Sequence, residues 1–197
     1  MPLRELPLFP LSSVLYPQGP LALRIFEPRY VDLVRRCMKT DSGFGVVLIV
    51  KGREAGAAAV TAAIGTEAKI VDFDQLEDGL LGLTCVGQER IRVHRTWTQP
   101  DGLHVAEVDD IEPEPAAPVP VDCLALRAIV ERVWPELGAL YGHVPPRFDD
   151  AGWIANRLAE LAPLEPAVRQ SLLEMADGEA RLRVLAPLIQ IREDADR

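Results

Sequence analysis

The sequence predicts an α+β fold, in which a β-rich first part closes into a small barrel and a bundle of helices follows. Three observations carry this. Up to Ile111 the apolar residues come in short runs and alternations broken by turn chemistry, with one helical stretch among them. Between Glu112 and Pro120 stand four prolines and two glutamates, a stiff solvated connector. Beyond it, apolar residues recur at helical spacing. The domains are therefore expected at 1–115 and 116–197.

The first element is an extended strand through Leu6-Pro7-Leu8-Phe9-Pro10-Leu11. Its prolines exclude a helix, and each pushes the preceding residue toward extended geometry. A turn at Pro17 to Pro20 leads to a second strand ending at Ile25 and Phe26, both expected to plug the core. Pro28 then opens a helix, where its missing N–H has no partner to lose. Glu27 is expected to accept backbone N–H groups at that helix start. Tyr30, Leu33 and Val34 fall on one helical face and should meet the barrel.

Gly43 to Val50 is a short apolar run suited to a buried strand. Charge and glycine from Lys51 to Gly56 break it. Ala62 to Phe73 is the next extended stretch, and Asp78-Gly79 supplies a turn signal. Leu80 to Val86 reads as a strand. Arg90-Ile91-Arg92-Val93 reads as another, with the arginines on the wet face and the aliphatics buried. Pro100-Asp101-Gly102 turns the chain into a returning strand over Leu103 to Ile111, with Leu103 and Val105 inward. About six strands and one helix do not form repeated βαβ units, so the sheet is antiparallel or mixed and closes on itself.

In the second part, Leu124, Leu126, Val130, Val133, Leu137 and Leu140 make an apolar stripe over Val121 to Tyr141, which Pro135 should bend or split. Asp149 or Asp150 can cap a helix through Trp153, Ile154, Leu158 and Leu161. Pro166 starts another. Asp177 caps a last helix, kinked at Pro187, and the charged tail from Arg192 should fray. Trp134, Tyr141 and Trp153 are expected between helices.

Composition narrows the function. A net charge of −9 argues against nucleic acid, which needs clustered Lys and Arg. Lysine occurs only at Lys39, Lys51 and Lys69. A basic stripe over Arg24, Arg29, Arg35, Arg36 and Arg53 would be required to reverse that reading. Cys37, Cys85 and Cys123 are odd in number and form no CxxC pair, which fits reduced thiols in a cytoplasmic protein. No signal peptide is evident. No apolar run approaches the ~18–20 residues that cross a bilayer, so no membrane role is expected.

The sequence holds no phosphate-cradling GxxxxGK[ST] loop. Serine is sparse (Ser12, Ser13, Ser42, Ser171), and none lies in a nucleophile elbow. His94, His104 and Asp109 could in principle meet across a hairpin as a metal site, although ordinary surface hydrogen bonding explains them as well. No cofactor, metal or catalytic residue is expected.

The LPLFPL opening and the Arg24-Ile25-Phe26-Glu27-Pro28-Arg29-Tyr30 block resemble the amino-terminal domain of Lon, the ATP-dependent protease. That domain also occurs as a stand-alone protein and in the ligase receptor cereblon. Phe44 to Ile49, Ile64 to Ala68, Val86-Gly87, Arg90 to Val93, Leu172 to Asp177 and Arg181-Leu182 continue the resemblance in order, over roughly residues 3 to 190. The resemblance implies a PUA-like pseudo-barrel followed by helices, and a stand-alone member lacking the ATPase and protease modules. It further implies a non-enzymatic module that binds unfolded or extended polypeptide, or a partner protein.

Because prolines interrupt the opening strand, part of that apolar run is expected at the surface. The candidate polypeptide-binding surface is Phe9, Pro10, Phe26 and Tyr30, with an extended partner adding to an open sheet edge. Two alternatives stand beside this: a small-molecule sensor with a cleft between barrel and helices, and an ATP-independent peptidase. The oligomeric state is not legible.

Overall fold

The computed structural model describes residues 2–52 and 60–195. The expectations for Arg53 to Gly56 and for Asp196 and Arg197 lie outside those residues. The chain divides into two compact units, Met1–Glu112 and Pro113–Arg197.

The first unit is a mixed sheet with one helix. Its elements are β1 (Arg4–Leu11), β2 (Pro20–Ile25), α1 (Pro28–Thr40), β3 (Phe44–Lys51), β4 (Val60–Thr61), β5 (Ile64–Gln75), β6 (Leu81–Thr98) and β7 (His104–Asp110). Hydrogen-bonded neighbours run β1-β7-β6-β5-β3, and β3 pairs back to β1, so five strands close into a ring. Only the β1–β3 pairing is parallel there; the rest are antiparallel. Ring closure removes most of the edges that a flat sheet would expose.

β1 shows how two prolines can sit inside a barrel. Arg4 to Pro7 pair with β7, whereas Leu8 to Leu11 pair with β3. No residue in these ladders needs partners on both sides, so the missing N–H groups of Pro7 and Pro10 cost little. Contrary to the sequence expectation, the large side chains of the run are not left at the surface: Leu6, Leu8, Phe9, Pro10 and Leu11 are buried, and Pro7 alone is half-buried.

β6 is one strand of 18 residues, where the sequence suggested two. Two residues, Gln88 and Glu89, stand opposite Glu67 alone, a bulge that bends the strand without ending it. Gly87 lies at this bend against the Tyr16 carbonyl. A Cβ there would come within 2.2 Å of the Tyr16 oxygen, so only glycine fits. The Arg90 side chain is buried rather than wet, whereas Arg92 is exposed. Glu27 caps α1 only through its backbone; its carboxylate instead meets Arg29 at 2.7 Å.

One core cluster joins Phe9, Leu15, Ile25, Tyr30, Leu33, Phe44, Leu83 and Leu103. Its α1 contribution is the Tyr30, Leu33, Val34 face that the spacing predicts, with Cys37 added. A second cluster holds Leu6, Leu8, Val47, Ile91, Ala106 and Val108.

The second unit is helical: α2 (Leu124–Val133), α3 (Ala151–Leu161), α4 (Pro166–Glu174) and α5 (Gly178–Ala195). Pro135 ends α2, and two short 3-10 turns, Trp134–Glu136 and Ala139–His143, replace the continuation. Asp150 Oδ1 accepts from the Gly152 and Trp153 N–H groups and so caps α3. Asp177 Oδ1 does the same for Glu179 and Ala180 at the start of α5. The charged tail is helical through Ala195, because α5 carries on past Pro187. Residues Ala151 and Trp153 to Ala159 of α3 are buried, which makes it the unit's central helix. Trp134, Tyr141, Phe148 and Trp153 form an aromatic cluster there, three of its contacts edge-to-face and the Trp134–Trp153 contact tilted, with ring centroids 5.0 to 6.0 Å apart.

Candidate functional site

The four residues proposed from sequence part company in the structure. Phe9 stacks on Tyr30 with ring centroids 4.0 Å apart, and Phe44 lies 5.8 Å from Phe9. Phe9 and Tyr30 are only 8% and 4% exposed. Pro10 is buried and pairs with Val47. These three belong to the barrel core and line no surface, because β1 is an interior strand of the ring and α1 covers it. Phe26 is the opposite: at 64% exposure it does not plug the core, a task left to Ile25 at 2%.

Phe26 directs attention to the part of the sheet that leaves the ring. Here β2, β6 and β5 form a three-stranded extension, with rows Ala22–Thr84–Asp72, Leu23–Leu83–Phe73 and Arg24–Gly82–Asp74. Opposed residues share a face, so Phe73 stands beside Leu83 and Leu23. Leu23 packs against the core cluster, whereas Phe73 is 56% exposed. The chain has five phenylalanines; the two with large exposure both belong to this extension or its end. Val71, at the β5 bulge, is 41% exposed.

On the other face of the extension runs a groove of about 320 Å3. Gly82 and Thr84 make its floor, with Ala22 and Arg24 along one side and Asp72 and Asp74 along the other. Leu76 lies across Gly82, its Cδ2 occupying the space that a Cβ there would need. Arg24 pairs with Asp78 at the turn.

The β5 edge has its own chemistry. Beyond Ala68 no strand among the described residues pairs with its outer side. The Leu76 N–H donates to the Leu80 carbonyl across the hairpin. By the alternation of antiparallel strands, Phe73 and Gln75 then turn their N–H and C=O groups outward. Both outward donors are already used: Asp72 Oδ1 accepts from the Phe73 N–H at 2.9 Å, and Asp74 Oδ1 from the Gln75 N–H at 2.7 Å. The edge presents acceptors and carboxylates, with no spare donor at these two positions.

Other candidates resolve differently. His94 meets Asp109 across β6 and β7, and the contact holds the Asp109 carboxyl below its usual range. His104 sits at the far end of the same hairpin, paired with Thr98, so the three do not converge. Among the described residues no group of three or more His, Cys, Asp or Glu is placed to hold a metal ion. A larger depression of about 570 Å3 borders β1 and the end of α1. Three of its cation–anion contacts are made internally: Arg4 with Glu67 at 2.5 Å and Asp110 at 2.6 Å, and Lys69 with Asp41 at 3.0 Å. It therefore offers a ligand no uncompensated charge from these groups. Cys37, Cys85 and Cys123 are free and buried, and burial pushes the Cys85 thiol up to about 12, so it is a packing residue and no nucleophile. No helix among the described residues is long and apolar enough to cross a membrane.

The family model of the ATP-dependent protease La (Lon) substrate-binding domain matches residues 5–190. The crystal structure of a Lon N-terminal domain protein from Xanthomonas campestris is 41% identical, covers 93% of this chain and 98% of that one, and superposes with a TM-score of 0.78. The N-terminal domain of Mycobacterium avium complex Lon protease shares the fold at 18% identity, with TM-score 0.64 over 92% of this chain and 96% of that one. Lon protease 2 of Myxococcus xanthus is 26% identical over 96% of this chain. Protein cereblon of Danio rerio is 32% identical over 61% of it. The chain spans about a quarter of the length of these two curated relatives, 24% and 28% respectively.

Proposed function

The chain belongs to the Lon substrate-binding domain family, and on that premise we propose that it binds exposed stretches of other polypeptides and does not cut them. The observation that supports the reading is the sheet extension of β2, β6 and β5, where Phe26 and Phe73 stand 64% and 56% exposed. Two large aromatic rings left in water at one end of a barrel cost solvation that a partner's apolar side chains would recover. The rings replace Phe9, Pro10 and Tyr30 as the proposed contact residues.

The three buried free thiols fit a reducing compartment, so the cytoplasm is the proposed location. Nucleic acid is a poor partner for a chain of net charge −9. What the longer relatives do with their other domains is not carried over.

The test is titration of a fluorescently labelled, permanently unfolded polypeptide with the purified protein. Saturable binding is expected, weakened by Phe73→Ser and by Phe26→Ser in variants whose circular dichroism matches the parent. Absence of binding across a panel of unfolded polypeptides would refute the reading.

A further inference from the structure

We propose that the outer edge of β5, from Val71 to Gln75, selects polypeptide segments that are extended, apolar and basic, and that it holds them by side chains rather than by added strand pairing. The inference rests on the polypeptide-binding reading and specifies its ligand. An unpaired edge ordinarily offers alternating donors and acceptors to an incoming strand. This edge does not. The Phe73 and Gln75 N–H groups are already taken by Asp72 Oδ1 and Asp74 Oδ1. What faces outward is the remaining acceptor capacity of those carboxylates and the carbonyls of Phe73 and Gln75. A segment rich in donors matches such an edge; one that needs donors from it does not.

Charge points the same way. Asp72, Asp74 and Glu77 crowd the edge and its turn, while Arg24, the cation in the groove, is engaged by Asp78. Lys69, the basic residue nearest along β5, is held by Asp41. Among the described residues Asp72, Asp74 and Glu77 form no ion pair, so the local field is negative and Lys and Arg side chains are the complementary ligand groups. Phe73 and Val71 stand between and beside the two aspartates in sequence and are exposed. The edge therefore alternates apolar and acidic positions over Val71-Asp72-Phe73-Asp74, and an extended segment alternating apolar and basic residues fits it in register.

The measurement is fluorescence anisotropy with three labelled twelve-residue peptides of equal apolar content, whose intervening residues are Lys/Arg, Gln/Ser or Asp/Glu. The Lys/Arg peptide should bind tightest and weaken with added salt. The double variant Asp72→Asn/Asp74→Asn keeps an oxygen to accept each N–H and removes the charge. It should lower affinity for the Lys/Arg peptide roughly threefold to tenfold, as for two exposed ion pairs, and leave the Gln/Ser peptide unchanged. Equal binding of the Lys/Arg and Gln/Ser peptides would overturn the selectivity while leaving polypeptide binding intact. So would tighter binding to Asp72→Ala/Asp74→Ala, which frees the N–H groups and would indicate strand addition. No binding of any peptide, with unfolded polypeptides also inert, removes both readings.

Discussion

Arg181, which is buried, and Glu114, which is half-buried, form a two-pronged ion pair in the helical unit. Arg181 Nη1 lies 3.2 Å from Glu114 Oε2, and Nη2 donates to Oε1. The same guanidinium donates to Asn156 Oδ1 at 2.9 Å, the Leu172 carbonyl at 2.8 Å and the Met175 carbonyl at 2.6 Å. Its side chain is 1% exposed. One arginine thus ties the connector, α3 and the end of α4 to α5. Removing it takes a charged donor away from Glu114, Asn156 Oδ1 and the Leu172 and Met175 carbonyls at once. Arg181→Leu is expected to destabilise the protein by about 3–5 kcal/mol, the usual cost of breaking a buried pair. Urea unfolding followed by circular dichroism measures it; a loss below about 1 kcal/mol, the range of exposed pairs, would contradict the linchpin role.

Core and surface phenylalanines should separate cleanly. Phe9→Ala removes a ring stacked on Tyr30 and is expected to cost about 3–5 kcal/mol. Tyr30→Asp would place a charge in the same pocket and should prevent folding. Phe73→Ser and Phe26→Ser are expected to stay within about 0.5 kcal/mol of the parent, as for exposed sites. Thermal melts of the four variants decide this, and they must precede any binding assay. A stable Phe9→Ala protein with weakened polypeptide binding would restore the opening run as a contact surface.

The contrast between Phe9 and Phe73 shows what the sequence made legible. Proline spacing, Pro28, Asp150 and Asp177 placed strands and helix starts well, because caps and missing N–H groups act locally. The LPLFPL run is largely buried although its prolines predict a surface position, because exposure is set by strand order. The parallel β1–β3 pairing, a contact between residues about 37 apart, cannot be read from local pattern. Gln88-Glu89 looked like a break, since a bulge and a turn share polar chemistry. The Val71-Asp72-Phe73-Asp74 alternation was a readable signal, but alternation says only that two faces differ, never which of them is covered. Glu114 read as solvated because its partner lies 67 positions away.

A different constraint joins two helix starts. A Cβ on Gly178 would come 2.5 Å from the Gly152 Cα and 2.9 Å from its nitrogen. Both atoms are backbone and cannot swing aside, so α3 and α5 would have to separate. Gly178→Ala should destabilise by about 1–3 kcal/mol despite its better helix propensity. Denaturant titration provides the check: stabilisation by the alanine would show that the close approach is not required.

Glu160 gives the protein a pH dependence with a definite sign. Burial is the largest influence on its carboxyl; Arg157, whose Nη2 lies 2.7 Å from Oε1, together with Tyr141 and Arg169, opposes it. The net result raises the group from 4.5 to about 7. A group with a raised folded pKa binds its proton more tightly when folded. Its stabilising contribution is complete below 4.5 and is lost as pH rises to about 7, after which it is flat. In Glu160→Gln the amide stands in for the neutral carboxyl at every pH. The stability of the parent minus that of Glu160→Gln should therefore decline between those limits and level off above. Subtraction removes groups with the opposite trend, such as Asp109 beside His94. Urea midpoints from pH 4.5 to 9 measure the difference, and a difference that grows with pH would mean that Arg157 holds Glu160 ionised throughout.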